Sequence, residues 1–387
     1  MGGGNCKHRI DFVPTGAIYR SLERKNLPNT AVLKNTIIFP INLEAISQSE
    51  TAIFTKYYLS LDSQRDVIKK IQTASKIIQN INMKIVFLDA ATMGDVSFDP
   101  IREKGELILY ESSDAEEAKE RVADCDVLIV NKIVVDKTLI DSAPRLRLIC
   151  EAATGVNNID VEYAGERGIP VRNAVGYSTD SVVQSTFMHI LSLMGNAPYF
   201  DAAVKSGHYS NSGIFTDVSV AWNELSGKTI GVIGMGNIGR KVARVAEAFG
   251  MRVVYYSTSG TSHCTEYPSL PLKELLGVSD VVSIHAPLNE RTRGLIGEEE
   301  LSLMKPSAFL VNAGRGGIVD EAALARAVDE GTIAGAALDV FAIEPLPSDS
   351  PLLKVSHPQR LRFSPHVAWA SVEARERLVR QIAENIQ

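Results

Sequence analysis

The segment Thr229-Ile-Gly-Val-Ile-Gly234-Met-Gly236-Asn-Ile-Gly239-Arg constrains the fold of this 387-residue chain more than any other stretch. An apolar run, Thr229–Ile233, enters a G-x-G-x-x-G loop, and a helical pattern follows as far as Phe249. In that context each glycine has a task. Gly234 permits the tight turn, Gly236 lets backbone N–H groups approach a pyrophosphate, and Gly239 lets the helix pack on the strand. The helix N-terminus, reached at Asn237 and Ile238, adds partial positive charge for phosphates. The same string without a flanking strand and helix would be a glycine-rich turn and nothing more.

The surroundings supply that context twice over. From Met83, short apolar runs (Lys84–Leu88, Leu107–Tyr110, Val127–Val130, Leu148–Cys150, Val171–Asn173) alternate with polar or helical segments. That alternation predicts a parallel sheet covered by helices on both faces. Asp180 reads as the N-cap of a long helix from Ser181 towards Met194, followed by a looser, turn-rich stretch, Gly195–Asn223. A second alternation begins at Lys228, with strands at Thr229–Ile233, Arg252–Tyr256, Val281–His285, Ala308–Asn312, Ala334–Leu338 and Arg362–Ser364. The expected fold class is α/β: two doubly wound parallel-sheet domains with a cleft between them, one flavodoxin-like, the other a Rossmann domain. The expected boundaries are 83–180 with 366–387 for the first domain and 181–365 for the second.

Residues 1–82 have a different character. They carry a balance of +5 against −11 for the remainder, within a total of −6, and hold no glycine between Gly16 and Gly94. Lys56 to Asn82 is expected to form a helix, since Ile68, Ile71, Ile77 and Ile78 recur at roughly helical spacing. The extension reads as a basic docking tail, a solvated or disordered appendage, or sequence preceding a translation start at Met83. Intact mass of the product of the native gene would decide the last point. Polar residues follow Met1–Cys6, which does not fit a signal peptide. No run approaches 18 apolar residues, so no spanning helix is expected. The four cysteines, Cys6, Cys125, Cys150 and Cys264, lack metal-ligand spacing and read as reduced core thiols, so a cytoplasmic location and no metal are expected. The acidic balance argues against nucleic acid as the main partner.

Three further segments carry chemistry: Val311-Asn-Ala-Gly-Arg315-Gly-Gly-Ile-Val-Asp320, Leu338-Asp339-Val-Phe-Ala-Ile-Glu344-Pro345 and Ser364-Pro-His366-Val-Ala368. Arg315 and His366 follow strands of the second sheet, which places them at its carboxyl edge, and Glu344 precedes Pro345 in an irregular segment. A guanidinium can grip a carboxylate bidentately and stays charged at any working pH. An imidazole can deliver a proton near neutrality, and a carboxylate bonded to it favours the charged form. Read blandly, Arg315 and Glu344 are a structural ion pair and His366 is a strand-end histidine bonded to backbone. His189, on an apolar helix, reads as a satisfied core or interface histidine.

Together with the glycine loop, these motifs resemble the D-isomer-specific 2-hydroxyacid dehydrogenase family in order and context, over essentially Met83 to Gln387. The resemblance implies hydride transfer from NAD or NADP to a small 2-oxo acid, with Arg315 on the substrate, His366 as proton donor and Glu344 supporting it. It places His285, Pro287, Thr292, Asn312 and Ala313 beside the cofactor, and Asp339 at its carboxamide or behind the site. Asn131-Lys132 and Thr154-Gly155-Val156-Asn-Asn158 look like the glycerate dehydrogenase (hydroxypyruvate reductase) branch. There Gly155 and Val156 would offer N–H groups to the substrate carboxylate, and Lys132 would add charge or remain solvated. A homodimer is implied as well. In relatives the chain runs on beyond the point matching Gln387 and packs back onto the first domain, so a weakened contact is expected if it stops there.

One departure concerns the cofactor. The second strand of the Rossmann unit usually ends in a carboxylate for the ribose 2′-hydroxyl. Here Tyr256 runs into Ser257-Thr258-Ser259-Gly260, with neither an acid nor a cation up to Ser262, so relaxed selectivity that tolerates NADPH is expected. Alternatives to the hydroxypyruvate reading are a phosphoglycerate dehydrogenase and, from another class, a nucleotide-sensing corepressor-like protein. A formate dehydrogenase would normally pair its histidine with glutamine, against which Glu344 stands.

Overall fold

The structure is a computed structural model; it describes the main chain of 32–33 and 36–37 and residues 83–386 except 262–263. Residues 83–387 form one compact unit and residues 1–82 another. In the latter, β1 (Val32–Leu33) pairs antiparallel with β2 (Thr36–Ile37). The helix expected over Lys56–Asn82 lies outside the described residues.

The first sheet of the larger unit comprises β3 (Lys84–Phe87), β4 (Glu106–Leu109), β5 (Val127–Val130), β6 (Leu148–Glu151) and β7 (Val171–Arg172), all parallel, in the order β4-β3-β5-β6-β7. This is the flavodoxin-like winding, with its topological switch between β3 and β5. Alternate residues of one strand serve opposite faces. Ile85, Phe87, Val127, Ile129, Leu148 and Cys150 pack under one set of helices, while Val86, Leu88, Leu128, Val130 and Ile149 pack under the other. Burial on both faces is why these strands read as continuous apolar runs. Ala374, Leu378, Val379, Ile382 and Ala383 of the Val372–Asn385 helix close the first face.

The second sheet contains β8 (Thr229–Ile233), β9 (Arg252–Tyr256), β10 (Val281–Ile284), β11 (Phe309–Asn312), β12 (Gly335–Leu338) and β13 (Leu361–Phe363), all parallel, ordered β9-β8-β10-β11-β12-β13. A single parallel bridge, Tyr255 to Ser269, extends the edge beyond β9. The switch falls between β8 and β10, so a crevice opens at the carboxyl ends of those strands. Val183, Phe187, Ile190 and Leu193 of the Thr179–Met194 helix pack with Ile230, Val232, Val311 and Ala337 on one face.

Two local expectations are corrected. The long helix starts at Thr179, so Asp180 lies in its first turn rather than at the cap, and its carboxylate pairs with Lys241. The stretch after Gly195 contains a helix, Ala197–Lys205, that begins with Pro198 in its first turn. Cys125, Cys150 and Cys264 are buried and form no disulfide among the described residues, and burial pushes the thiols of Cys125 and Cys150 up to about 12.

Candidate active site

The glycine loop divides its tasks as backbone sterics require. At Gly234, φ is +94°, and a β-carbon would stand 2.9 Å from the His285 carbonyl group and the Ala286 nitrogen. At Gly239 a β-carbon would come within 2.2 Å of the Gly234 oxygen. Gly236 differs: it caps the Asn237–Ala248 helix, and a β-carbon there meets nothing within 4 Å. Two glycines thus serve packing, while the third leaves open space at the helix N-terminus, where N–H groups could receive a phosphate.

Next to this loop lies a cavity of about 690 Å³, lined by Gly234, Gly236, Ser257, His285 and Pro287 among others. Burial brings the His285 imidazole down to about 4, so the ring is neutral. Its Nε2 meets Ser283 Oγ at 2.8 Å, while Nδ1 is buried and has no partner among the described residues. An open cradle, a helix N-terminus, a hydroxyl-lined wall and an unpartnered ring nitrogen together fit the adenosine half of a dinucleotide. Thr292 is placed differently. It is fully buried, donates to the Pro287 carbonyl at 2.6 Å and accepts from Asn289 N–H at 2.9 Å, so it fixes the loop rather than lining the cavity.

Arg315 stands in the turn after β11. Asn312 shapes that turn with its side-chain amide, donating to the Arg315 carbonyl at 2.9 Å and accepting from Gly314 N–H at 3.0 Å. Arg315 Nη1 donates to the Gly314 carbonyl at 2.9 Å. The turn nests against the next connection so closely that a β-carbon at Gly316 would fall 1.7 Å from the Phe341 carbonyl oxygen. Ala313, nearly buried, packs with Val182 and Ala368 beneath the crevice.

The two remaining candidates meet directly. His366 Nδ1 lies 2.7 Å from Glu344 Oε2, and Glu344 Oε1 accepts the Phe341 N–H at 3.0 Å. Burial pushes the Glu344 carboxyl up, but the hydrogen bonds from His366 and Phe341 and the charges of His366 and Lys132 outweigh it. They hold the carboxyl below its ordinary range. His366 adopts φ +53°, a left-handed conformation costly for a non-glycine residue, and Asp339 holds it there. The Asp339 carboxylate, 1% exposed, accepts Ser364 Oγ at 2.5 Å and the N–H groups of Val367 and Ala368 at 2.9 Å each. The Asp339 carbonyl accepts His366 N–H at 2.7 Å. His189 is buried, with Nε2 2.9 Å from Ser364 Oγ, and its pKa is lowered by that burial.

Across the crevice, the loops after β5 and β6 supply the other wall. Asp89 accepts the backbone N–H groups of Asn131 and Lys132, at 3.0 and 2.6 Å, which leaves the Lys132 side chain exposed. The side-chain amide of Asn131 is occupied by Thr92 Oγ1 at 2.9 Å, so Asn131 is a buried loop fixture. At the second loop, a β-carbon on Gly155 would lie 3.1 Å from Arg315 Nη2, so the guanidinium spans the crevice. Among the described residues the N–H groups of Gly155 and Val156 have no acceptor. A cation and two backbone donors without an acceptor thus lie on neighbouring loops, the combination a carboxylate requires.

Sequence reasoning did not find Asp89, Glu151 or Ser364. Glu151 ends β6 with no exposure; its Oε2 accepts Asn158 Nδ2 at 3.0 Å, and Oε1 has no partner among the described residues. Burial first, then the nearby Asp89 charge, pushes its carboxyl up to about 8. A carboxylate closing an apolar strand was the available signal for Glu151. The partners of Asp89 and Ser364 are 42 and 25 residues away, which no local pattern reveals.

A Rossmann crevice with a phosphate cradle, a cation and a histidine–carboxylate pair defines a nicotinamide-nucleotide oxidoreductase. Residues 187–368 match the model of the D-isomer specific 2-hydroxyacid dehydrogenase family, NAD binding domain. A glyoxylate reductase of Korarchaeum cryptofilum is 40% identical, covering 69% of this chain and 80% of its own length. A glycerate dehydrogenase of Methylorubrum extorquens is 36% identical, covering 79% of this chain and 95% of its own. Among solved structures, an NADPH-dependent glyoxylate/hydroxypyruvate reductase of Sinorhizobium meliloti, in complex with NADP and malonate, aligns with a TM-score of 0.67. It is 29% identical and covers 78% of this chain and 92% of that one. The chain belongs to the D-2-hydroxyacid dehydrogenase family and is an NAD(P)-dependent oxidoreductase.

Proposed function

We propose that the protein reduces hydroxypyruvate to D-glycerate, with glyoxylate as a second substrate. The observations that support this reading are the approach of Arg315 to Gly155 and the direct contact of His366 with Glu344. Similarity to a glyoxylate reductase and a glycerate dehydrogenase supports the choice of short 2-oxo acids.

The nucleotide, held along Gly234–Gly239, supplies a hydride to the keto carbon when bound. Arg315 grips the substrate carboxylate from one side while Gly155 and Val156 donate from the other, which fixes the carbonyl for attack. His366 donates a proton to the carbonyl oxygen from Nε2, because Nδ1 is committed to Glu344. The ionised Glu344 stabilises the charged imidazole before transfer. Lys132 adds positive charge at the mouth of the crevice and bonds the terminal hydroxyl of hydroxypyruvate. A site that bonds a substrate hydroxyl rejects the analogue lacking it far more strongly than a site selecting by size.

Residues 83–180 with 366–387 act as the substrate-binding domain, and 181–365 as the nucleotide-binding domain. The working form is a cytoplasmic homodimer. Exposed apolar side chains from Met188 and Leu191 to Phe215, Val218 and Trp222 support the dimer. No helix of the described residues is long and apolar enough to cross a membrane.

The test is absorbance at 340 nm with NADH and NADPH, offering hydroxypyruvate, glyoxylate, pyruvate and 3-phosphohydroxypyruvate. Fastest turnover with hydroxypyruvate supports the proposal. A clear preference for 3-phosphohydroxypyruvate would replace it with a phosphoglycerate dehydrogenase, and inactivity on all four in nucleotide-bound protein would overturn it.

A further inference from the structure

We infer that Arg291 completes a site for a ribose 2′-phosphate, so that the protein selects NADPH over NADH rather than merely tolerating it. The inference rests on the dinucleotide reading of the second sheet. In such sheets the adenosine ribose lies at the end of the second strand, where a carboxylate bonds the free 2′-hydroxyl and repels a phosphate. Here β9 ends at Tyr256 and continues as Ser257-Thr258-Ser259-Gly260-Thr261, without a carboxylate. On its own this admits either nucleotide, because absence of repulsion is not attraction.

The attraction comes from the connection after β10, a source the local sequence of β9 cannot reveal. That connection turns back on itself: Thr292 Oγ1 ties Pro287 to Asn289, and Asn289 Oδ1 accepts the Arg291 N–H at 2.9 Å. The turn sends the Arg291 side chain over the β9 loop, where Nη1 donates to the Ser259 carbonyl at 2.9 Å. A β-carbon at Gly260 would stand 3.8 Å from the same Nη1, and Gly260 has φ +75°, so the loop bends under the guanidinium in a conformation suited to glycine. Below it lie hydroxyls. Ser257 Oγ and Ser259 Oγ are 3.2 Å apart, and both donate to the Thr261 carbonyl, at 2.9 and 3.0 Å.

Arg291, Ser257, Ser259 and Thr261 line the same cavity as the phosphate cradle at Gly234 and Gly236. One guanidinium N–H is spent on fixing its position, and a planar five-donor group has others to offer a phosphate dianion. Among the described residues no ion pair with a carboxylate neutralises Arg291. Glu290 lines the cavity as well and offsets part of the field, which a doubly charged phosphate feels more than a hydroxyl does. Arg291 is exposed, so the selectivity should weaken as salt screens the pair.

The experiment is fluorescence titration of the full chain with NADPH and with NADH, together with displacement by 2′,5′-ADP, in the wild type, Arg291→Ala and Arg291→Lys. The expected wild type binds NADPH at least tenfold more tightly than NADH. Arg291→Ala weakens NADPH and 2′,5′-ADP by tenfold or more and moves NADH less than twofold, and Arg291→Lys lies between. Equal affinity of the wild type for both dinucleotides, or an unchanged NADPH/NADH ratio in Arg291→Ala, overturns the inference alone. Binding of neither dinucleotide overturns it together with the nucleotide reading on which it rests.

Discussion

The guanidinium of Arg315 reaches across the crevice to Gly155, where a β-carbon would lie 3.1 Å from Nη2. One residue follows a strand of the second sheet and the other a strand of the first, so the substrate carboxylate of the proposed reaction would be bound where the two sheets face each other. Gly155→Ala inserts a methyl group at that point. Arg315 Nη2 ends a flexible side chain and can yield, so folding should survive while substrate geometry does not. The expected loss is about 10–100-fold in kcat/KM with the nucleotide Kd unchanged. Wild-type kinetics in this variant would remove Gly155 from the carboxylate site.

The His366–Glu344 pair predicts a graded pair of defects. His366→Ala should reduce kcat by about 10²–10⁴-fold and leave nucleotide binding within twofold, since the proposed general acid is lost and the cradle is not. Glu344→Gln keeps an oxygen for His366 Nδ1 but loses the charge, so its kcat should fall less. The Glu344 carboxyl sits below its ordinary range, so the native state holds it ionised where the unfolded chain begins to protonate. Its stabilisation is present above the ordinary carboxylate range and lost as pH falls through the lowered value. Acid denaturation followed by circular dichroism should therefore shift less between pH 5 and pH 3 in Glu344→Gln than in the wild type.

The glycine loop gives a test that separates folding from binding. Gly236→Ala meets open space at an extended φ of −82°, so Tm should stay close to that of the wild type. The added methyl group occupies the phosphate approach, and nucleotide affinity should fall more than tenfold. Gly239→Ala drives a β-carbon to 2.2 Å from the Gly234 oxygen and should destabilise by about 1–3 kcal/mol. Equal effects of the two variants on Tm, or intact binding by Gly236→Ala, would contradict this division.

Much of this was legible in the sequence because it is periodic or local. Apolar runs buried on both faces marked β3, β5, β6 and β8, and the glycine loop could be assigned from its flanking strand and helix. Arg315, Glu344 and His366 could be nominated because each lies inside a recognisable motif, and the structure brings Glu344 and His366 into contact. What stayed hidden depends on partners remote in sequence. Asp89 holds a loop 42 residues away, Arg291 bonds a carbonyl 32 residues back, and Asp339 spends its carboxylate on the His366 loop. Asp180 misled as a cap because its partner, Lys241, is 61 residues distant.

Asp339 is accordingly expected to act through His366. Asp339→Asn replaces one acceptor oxygen with a donor that faces N–H or O–H groups, leaving at least one of them unsatisfied. The cost should be about 1–3 kcal/mol of stability. A positioning role predicts that kcat falls while KM for the substrate and nucleotide affinity change little. A loss of nucleotide affinity with unchanged kcat would instead make Asp339 a carboxamide ligand.

Glu151 makes the last case, in which the buried carboxyl predicts a pH dependence of opposite sign. Its side chain is unexposed, one oxygen has no partner among the described residues, and burial raises the carboxyl to about 8. Between the ordinary carboxylate range and that value, the folded chain keeps a proton that the unfolded chain has released. Stability therefore falls as pH rises through this window and levels off above it. Glu151→Gln imitates the protonated form and can still accept the Asn158 amide. Its Tm should match that of the wild type near pH 5 and exceed it increasingly towards pH 8.5, by the equivalent of a few kcal/mol at roughly 1.4 kcal/mol per pKa unit. Parallel Tm curves for the two proteins across that range would mean that Glu151 is ionised in the fold, with water or a cation satisfying its second oxygen.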